Sequence, residues 1–168
     1  MNGTIAAAFL ASSILNPLSP LFEGLQERKA VRESAVQVSN IYFQRQNIGQ
    51  ELGFYSSAGM YYGPLKPIFS ASLTDQNGFW IGAGFENQLR IIDNISATFS
   101  FMPGIYSQGQ EEDLGGWLMF RSGIGLRYDY SDQMGISIIY DHRSSGDIWD
   151  YNPGMETMQI KLFKKHNF

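Results

Sequence analysis

The sequence of 168 residues contains no cysteine, which excludes a disulfide framework and any thiolate metal centre. It has two histidines, His142 and His166, without an HExxH motif or a paired-His spacing, so neither a dedicated transition-metal site nor a cofactor is expected. Charged residues make up only 17% of the chain, below the roughly 25% of an ordinary soluble domain. The net charge of −4 and the lack of a basic stripe argue against a nucleic-acid partner. No apolar run reaches the ~18 residues of a membrane-spanning helix. That absence leaves a membrane barrel open, because barrel strands alternate and average out in hydropathy.

What is present is glycine, at 18 residues, and aromatics, at 14%. From Val36 onward the chain reads as alternating segments divided by turn signals: Tyr62-Gly63-Pro64, Asp75-Gln76-Asn77-Gly78, Asp93-Asn94, the acidic stretch Gln108 to Gly116, and Ser131-Asp132. These predict strands at 36–45, 50–62, 67–75, 78–91, 95–107, 116–130, 133–146 and 154–164. The links are of hairpin length and predict an antiparallel up-and-down meander. Eight such strands close into a barrel more readily than they leave two bare edges.

Two faces alternate along each strand. Ile95, Ala97, Phe99, Phe101 and Ile105 oppose Ser96, Thr98, Ser100 and Gly104, and Met134, Ile136, Ile138 and Tyr140 oppose Gln133, Gly135, Ser137 and Asp141. A water-facing surface would carry more Lys and Glu than this small polar face does. The narrow lumen of an eight-stranded barrel suits small residues and a few internal ion pairs, for which Arg121, Arg127, Asp141, Glu86 and Lys161 are candidates. The bulky apolar row then faces lipid. The sequence therefore predicts an all-β, eight-stranded antiparallel β-barrel of membrane type in the bacterial outer membrane. Its alternative is a soluble lipocalin-like carrier with the apolar row turned inward. Trp80, Trp117, Trp149, Tyr61 and Tyr62 are candidates for an aromatic girdle, with plain packing equally open to Trp80 and Trp117. The terminal Phe168 fits the aromatic end common in such barrels.

Residues 36–168 are read as the barrel domain, and residues 1–35 as a signal peptide or an N-terminal extension. Ile5 to Leu15 has the length of a signal-peptide apolar region, but no basic residue precedes it and no clean A-x-A site follows. Pro17 and Pro20 then break the chain before a polar piece of helical character.

One polar constellation falls on the apolar face. His142 and Ser144 are two residues apart, so they share a side of their strand and continue the row Ile136, Ile138, Tyr140. Glu156 opens the next apolar row, Met158, Ile160, Leu162. All three are thus expected on the outer surface near the rim, where a headgroup interface tolerates them. Together they suffice for acyl transfer: Ser144 as nucleophile, His142 as base, Glu156 to orient the imidazole. Backbone N–H groups of Ser145 or Gly146 are at hand for the oxyanion. An interfacial loop of ordinary polar residues is the plainer reading of the same residues. Arg143, beside the nucleophile, points to the lumen by parity, where Asp141 or another acid would pair it. Glu111-Glu112-Asp113 is read as a solvated turn in preference to a cation site.

The last ~70 residues resemble the PagL family of outer-membrane lipid A 3-O-deacylases. The resemblance rests on Phe120 with Gly123-x-Gly125-Leu126, on His142-x-Ser144, and on Asn152-x-Gly154-x-Glu156. It implies an esterase in which His142 is the base, Ser144 the nucleophile and Glu156 the orienting acid, with Asn152 as the loop Asn typical of the family. It further implies lipid A, or lipopolysaccharide, as a substrate met in outer-membrane lipid, with a homodimer left open. The family usually has Asn directly after the nucleophile, where this chain has Ser145. A non-catalytic barrel that retains the motif is the competing reading.

Overall fold

The computed structural model describes residues 4–15 and 27–166. In chain order they form α1 (Thr4–Leu15), β1 (Glu27–Lys29), β2 (Arg32–Phe43), β3 (Gln46–Ser57), β4 (Met60–Tyr62), β5 (Leu65–Thr74), β6 (Phe79–Ile92), β7 (Ile95–Ser107), β8 (Leu118–Asp129), β9 (Met134–Ser144) and β10 (Met155–His166). Each long strand pairs antiparallel with its neighbour, β10 pairs with β2, and β5 pairs with both β3 and β6. The eight long strands therefore close on themselves, which removes every long edge. The short strands β1 and β4 pair with each other beside the β4–β5 hairpin.

The alternation decides which face is inside. Leu126 is 58% exposed and its neighbour Arg127 only 5%; Ile138, Ile160 and Leu162 are exposed while Ser137, Gln159 and Lys161 are buried. The apolar row faces outward and the polar row fills the lumen, which rules out the lipocalin-like arrangement. The lumen is sealed by ion pairs. Arg121 donates to Glu51 at 2.7 Å and to Asp141 at 2.9 Å, and Arg143 reaches Glu51 at 2.8 Å. Arg127 pairs with Glu33 at 2.8 Å, and Lys66 bridges Glu33 and Glu86 at 2.7 and 3.1 Å, with Lys161 3.4 Å from Glu86. All five expected internal charges lie in this network. Glu33, Glu51, Lys66, Arg143 and Asp129 also belong to it, and the acid that pairs Arg143 is Glu51.

Three local features explain irregularities of the sequence pattern. Trp80 is a lumen residue, not a girdle residue: it is buried, the guanidinium of Arg121 lies 5.2 Å from its ring, and Gly82 and Gly104 make room for the indole. Phe163, which interrupts the polar row of β10, is buried beneath the Arg127 guanidinium, 3.7 Å from its ring. The barrel begins at Arg32 rather than near Val36, because Glu33 and Ala35 continue the inward parity of β2. The expected second strand divides into β3 and β4. The polar piece read as helical is strand where it is described, at Glu27–Lys29. Phe168 lies outside the described residues.

α1 lies against the outer wall at β6–β8. The Phe9 and Phe101 rings are 6.3 Å apart, and Asn87 donates to Ser12 Oγ at 3.1 Å. Asn87 stands in the outward row between Phe85 and Leu89, where an amide needs a polar partner. Among the described residues no helix is long and apolar enough to cross a membrane, and the strands do the spanning. The connections 44–45, 75–78, 108–117 and 145–154 gather at the end opposite the start of β2 and the end of β10. That end carries the longest loops, as the external end of an outer-membrane barrel does.

Candidate active site

The register of β8, β9 and β10 assembles the candidate residues. Glu156 pairs with His142 across β10–β9, and on the other side Ser122 pairs with His142 and Phe120 with Ser144. Paired residues on one face of an antiparallel ladder lie roughly 5 Å apart at Cβ, so His142, Ser144 and Glu156 form one cluster on the outer wall. The imidazole Nδ1 is 3.3 Å from Glu156 Oε1. With Nδ1–H donating to the carboxylate, Nε2 is the ring nitrogen left to accept a proton. Nε2 is buried without a hydrogen-bond partner. Ser144 shares the outward face of β9 with His142, two residues away, and no hydrogen bond joins its hydroxyl to the imidazole among the described residues; candidate catalytic bonds often tighten only with substrate bound.

Although they face outward, His142 and Ser144 are buried. On one side Phe120 stacks on Phe101 at 5.6 Å and 13°. On the other the 145–154 loop folds over the strand ends. Gly154, at φ +72°, packs against the imidazole edge so closely that an added Cβ would stand 2.5 Å from Cε1 and 3.0 Å from Nε2. Asn152 ties the loop together: its Oδ1 accepts the Ser145 N–H at 2.9 Å and its Nδ2 donates to Asp147 Oδ1 at 2.8 Å. Gly146 (φ 63°) and Asp147 (φ 62°) turn the chain out of β9.

These contacts sort the expected oxyanion donors. The Ser145 amide is engaged by Asn152, whereas the Gly146 amide has no hydrogen bond among the described residues. Ser145 Oγ is buried and without a partner. Arg143 is held in the lumen by Glu51, between the rings of Trp80 and Tyr106. Glu111 is buried and accepts from the Tyr106 hydroxyl at 2.8 Å, so that acid is not part of a solvated turn. Among the described residues no three side chains are grouped to hold a metal ion.

Beside Gly154 and Glu156 the outer wall opens into a groove of about 450 Å³, lined also by Tyr42, Arg45, Tyr140 and Met158. Sequence reasoning had no means of finding it, since its walls come from β2, the β2–β3 turn, β9 and β10. The only hint was that Arg45-Gln46-Asn47 interrupts an otherwise strand-like run.

A closed eight-stranded barrel, apolar outside and charged within, defines the class: an integral outer-membrane barrel. The sequence profile of the family described as lipid A 3-O-deacylase (PagL) matches residues 44–165, and the chain belongs to that family. Among solved structures, the outer-membrane enzyme PagL superposes with a TM-score of 0.62 at 13% identity, covering 78% of this chain and 97% of that one. A transmembrane β-barrel designed de novo gives 0.63 at 10% identity, over 84% and 99%. Neisserial surface protein A gives 0.55 at 9% identity, over 84% and 99%. At such identities these likenesses speak for the fold. No curated protein matches the chain.

Proposed function

We propose that the protein hydrolyses the ester that attaches a 3-hydroxyacyl chain to lipid A, by a Ser-His-Glu mechanism on the outer wall of the barrel. The observation that carries the reading is the Glu156–His142 pair at 3.3 Å, one residue pair from Ser144 on the lipid-facing surface, in a chain of the lipid A 3-O-deacylase family. Ser144 Oγ attacks the ester carbonyl as His142 Nε2 takes its proton, and Glu156 holds the Nδ1–H and stabilises the imidazolium. The Gly146 N–H, unengaged by the protein, is the backbone donor best placed for the oxyanion. The tetrahedral intermediate collapses by expelling the sugar hydroxyl, which takes its proton from Nε2. Water, activated by the same nitrogen, then releases the hydroxy fatty acid and restores Ser144. One chain supplies all these groups, so a homodimer is not required for the chemistry.

The test is mass spectrometry of lipid A from cells expressing the wild type or Ser144→Ala at equal outer-membrane levels. Loss of one hydroxyacyl mass with the wild type alone is the expected result. Unchanged lipid A with both, from folded barrels, overturns the proposal and leaves a barrel that keeps the motif without the activity.

A further inference from the structure

The four connections at the external end contain six carboxylates, Asp75, Glu111, Glu112, Asp113, Asp147 and Asp150, and a single basic residue, Arg45. Glu111 is buried, and the other five make an acidic rim that repels anionic lipid; the one cation in it is exposed, forms no ion pair among the described residues, and lines the groove that begins at Gly154 and Glu156. Gln44 and Arg45 form the two-residue β2–β3 turn at φ 48° and 70°. Such turns favour Asn and Gly because a larger side chain in the left-handed region is strained. Strain of this kind is retained where a site uses the residue.

The direction of the chemistry fixes what would occupy the groove. The Cε1–Nε2 edge of the His142 ring lies against Gly154, so an oxygen that leaves with the Nε2 proton would depart on the β10 side of Ser144. The acyl chain would then run the other way, on the β8 side at Phe120, which pairs with Ser144. The alcohol portion of the ester is therefore what fills the groove toward Tyr42 and Arg45. β2 lies two strand spacings, about 10 Å, from β9, a distance that one sugar ring and the reach of an arginine span. From these relations we propose that Arg45 is a specificity-determining residue whose guanidinium binds a phosphomonoester carried on the sugar that bears the scissile ester. A planar fork of N–H donors suits a phosphate oxyanion better than a lysine ammonium does. The proposal rests on the ester-hydrolase reading and adds the headgroup that it selects.

The experiment uses full-length protein in detergent micelles and two lipid A preparations, one with and one without the phosphate on the sugar that bears the ester. Wild type is expected to favour the phosphorylated lipid by roughly 10- to 100-fold in kcat/KM, chiefly through KM. Arg45→Gln should abolish that preference by bringing kcat/KM on the phosphorylated lipid down to that on the dephosphorylated one, Arg45→Lys should restore part of it, and Arg45→Glu should reverse it. Inorganic phosphate at millimolar concentration should not compete, because the site takes the phosphate only as part of the lipid. Equal discrimination by wild type and Arg45→Gln overturns the inference while the hydrolase reading stands. If wild type cleaves neither lipid, the hydrolase reading fails. The preference is then measured as binding to Ser144→Ala with and without Arg45→Gln, and equal binding by the two overturns the Arg45 assignment as well.

Discussion

Gly154 and His142 are packed edge to backbone: the imidazole occupies the space that a side chain at 154 would need, and the glycine itself holds φ +72°. The imidazole is thus positioned by a missing side chain on one flank and by Glu156 on the other. Gly154→Ala should displace the ring from its place beside Glu156 and strain the turn. A displacement near 1 Å costs roughly 100-fold in rate. Deacylation kinetics on a variant with wild-type heat-modifiable mobility on gels would check it, and an unchanged rate would show that the ring has another resting place.

Glu156→Gln keeps the shape of the acid and removes its charge, so the imidazole loses both its tautomer preference and the stabilisation of its protonated form. By analogy with other triads kcat should fall by about 10² to 10⁴, with KM little changed. Glu156→Asp should recover part of the loss. A KM effect alone would instead place Glu156 in lipid binding, since it also lines the groove.

Asn152 is expected to act through the loop rather than on substrate. Asn152→Ala frees the Ser145 amide and unties Asp147, which should raise proteolysis within 146–151 and lower kcat by about tenfold through a loosened oxyanion site. Asn152→Asp keeps the acceptor for Ser145 but sets a carboxylate against Asp147, and should behave like the alanine variant at neutral pH.

In the lumen, Glu51 serves two guanidinium groups, Arg121 and Arg143. Glu51→Gln leaves two buried cations short of one counter-charge, a change that typically costs about 3–5 kcal/mol. Urea unfolding of the detergent-solubilised barrel should show it, whereas Asp129→Asn, at the partly exposed end of β8, should cost about 1 kcal/mol or less. Equal effects would mean that lumen water, not burial, governs both sites.

Much of the barrel was legible because a period of two is a strong signal once an apolar row and a small polar row oppose each other. Seven of the eight expected strands have long observed counterparts over nearly the same residues, and the other, 50–62, is split by Ala58 and Gly59. The cluster of His142, Ser144 and Glu156 was equally legible, since strand parity fixes which side chains share a face. Glu33 was missed because the polar stretch around it shows no alternation until Ala35, so nothing local marks it as inward. Trp80 and Phe163 break the small-residue rule of the lumen, and only their cross-barrel partners, Arg121 with Gly82 and Gly104, and Arg127, explain them. The hold of Asn152 on the Ser145 amide depends on the path of a ten-residue loop, and no periodicity encodes such a path.

The sealed interior has a kinetic consequence. Among the described residues, the lumen cavity lined by Gln37, Tyr55, Arg121 and Lys161 is about 20 Å³, room for roughly one water molecule, too small to pass a lipid through the barrel. On the proposed reading, a lipid ester reaches Ser144 on that wall by diffusion in two dimensions. Turnover should then follow the mole fraction of substrate in the surrounding leaflet, and diluting the lipid film with inert detergent should slow the reaction even when the bulk concentration of substrate is held fixed.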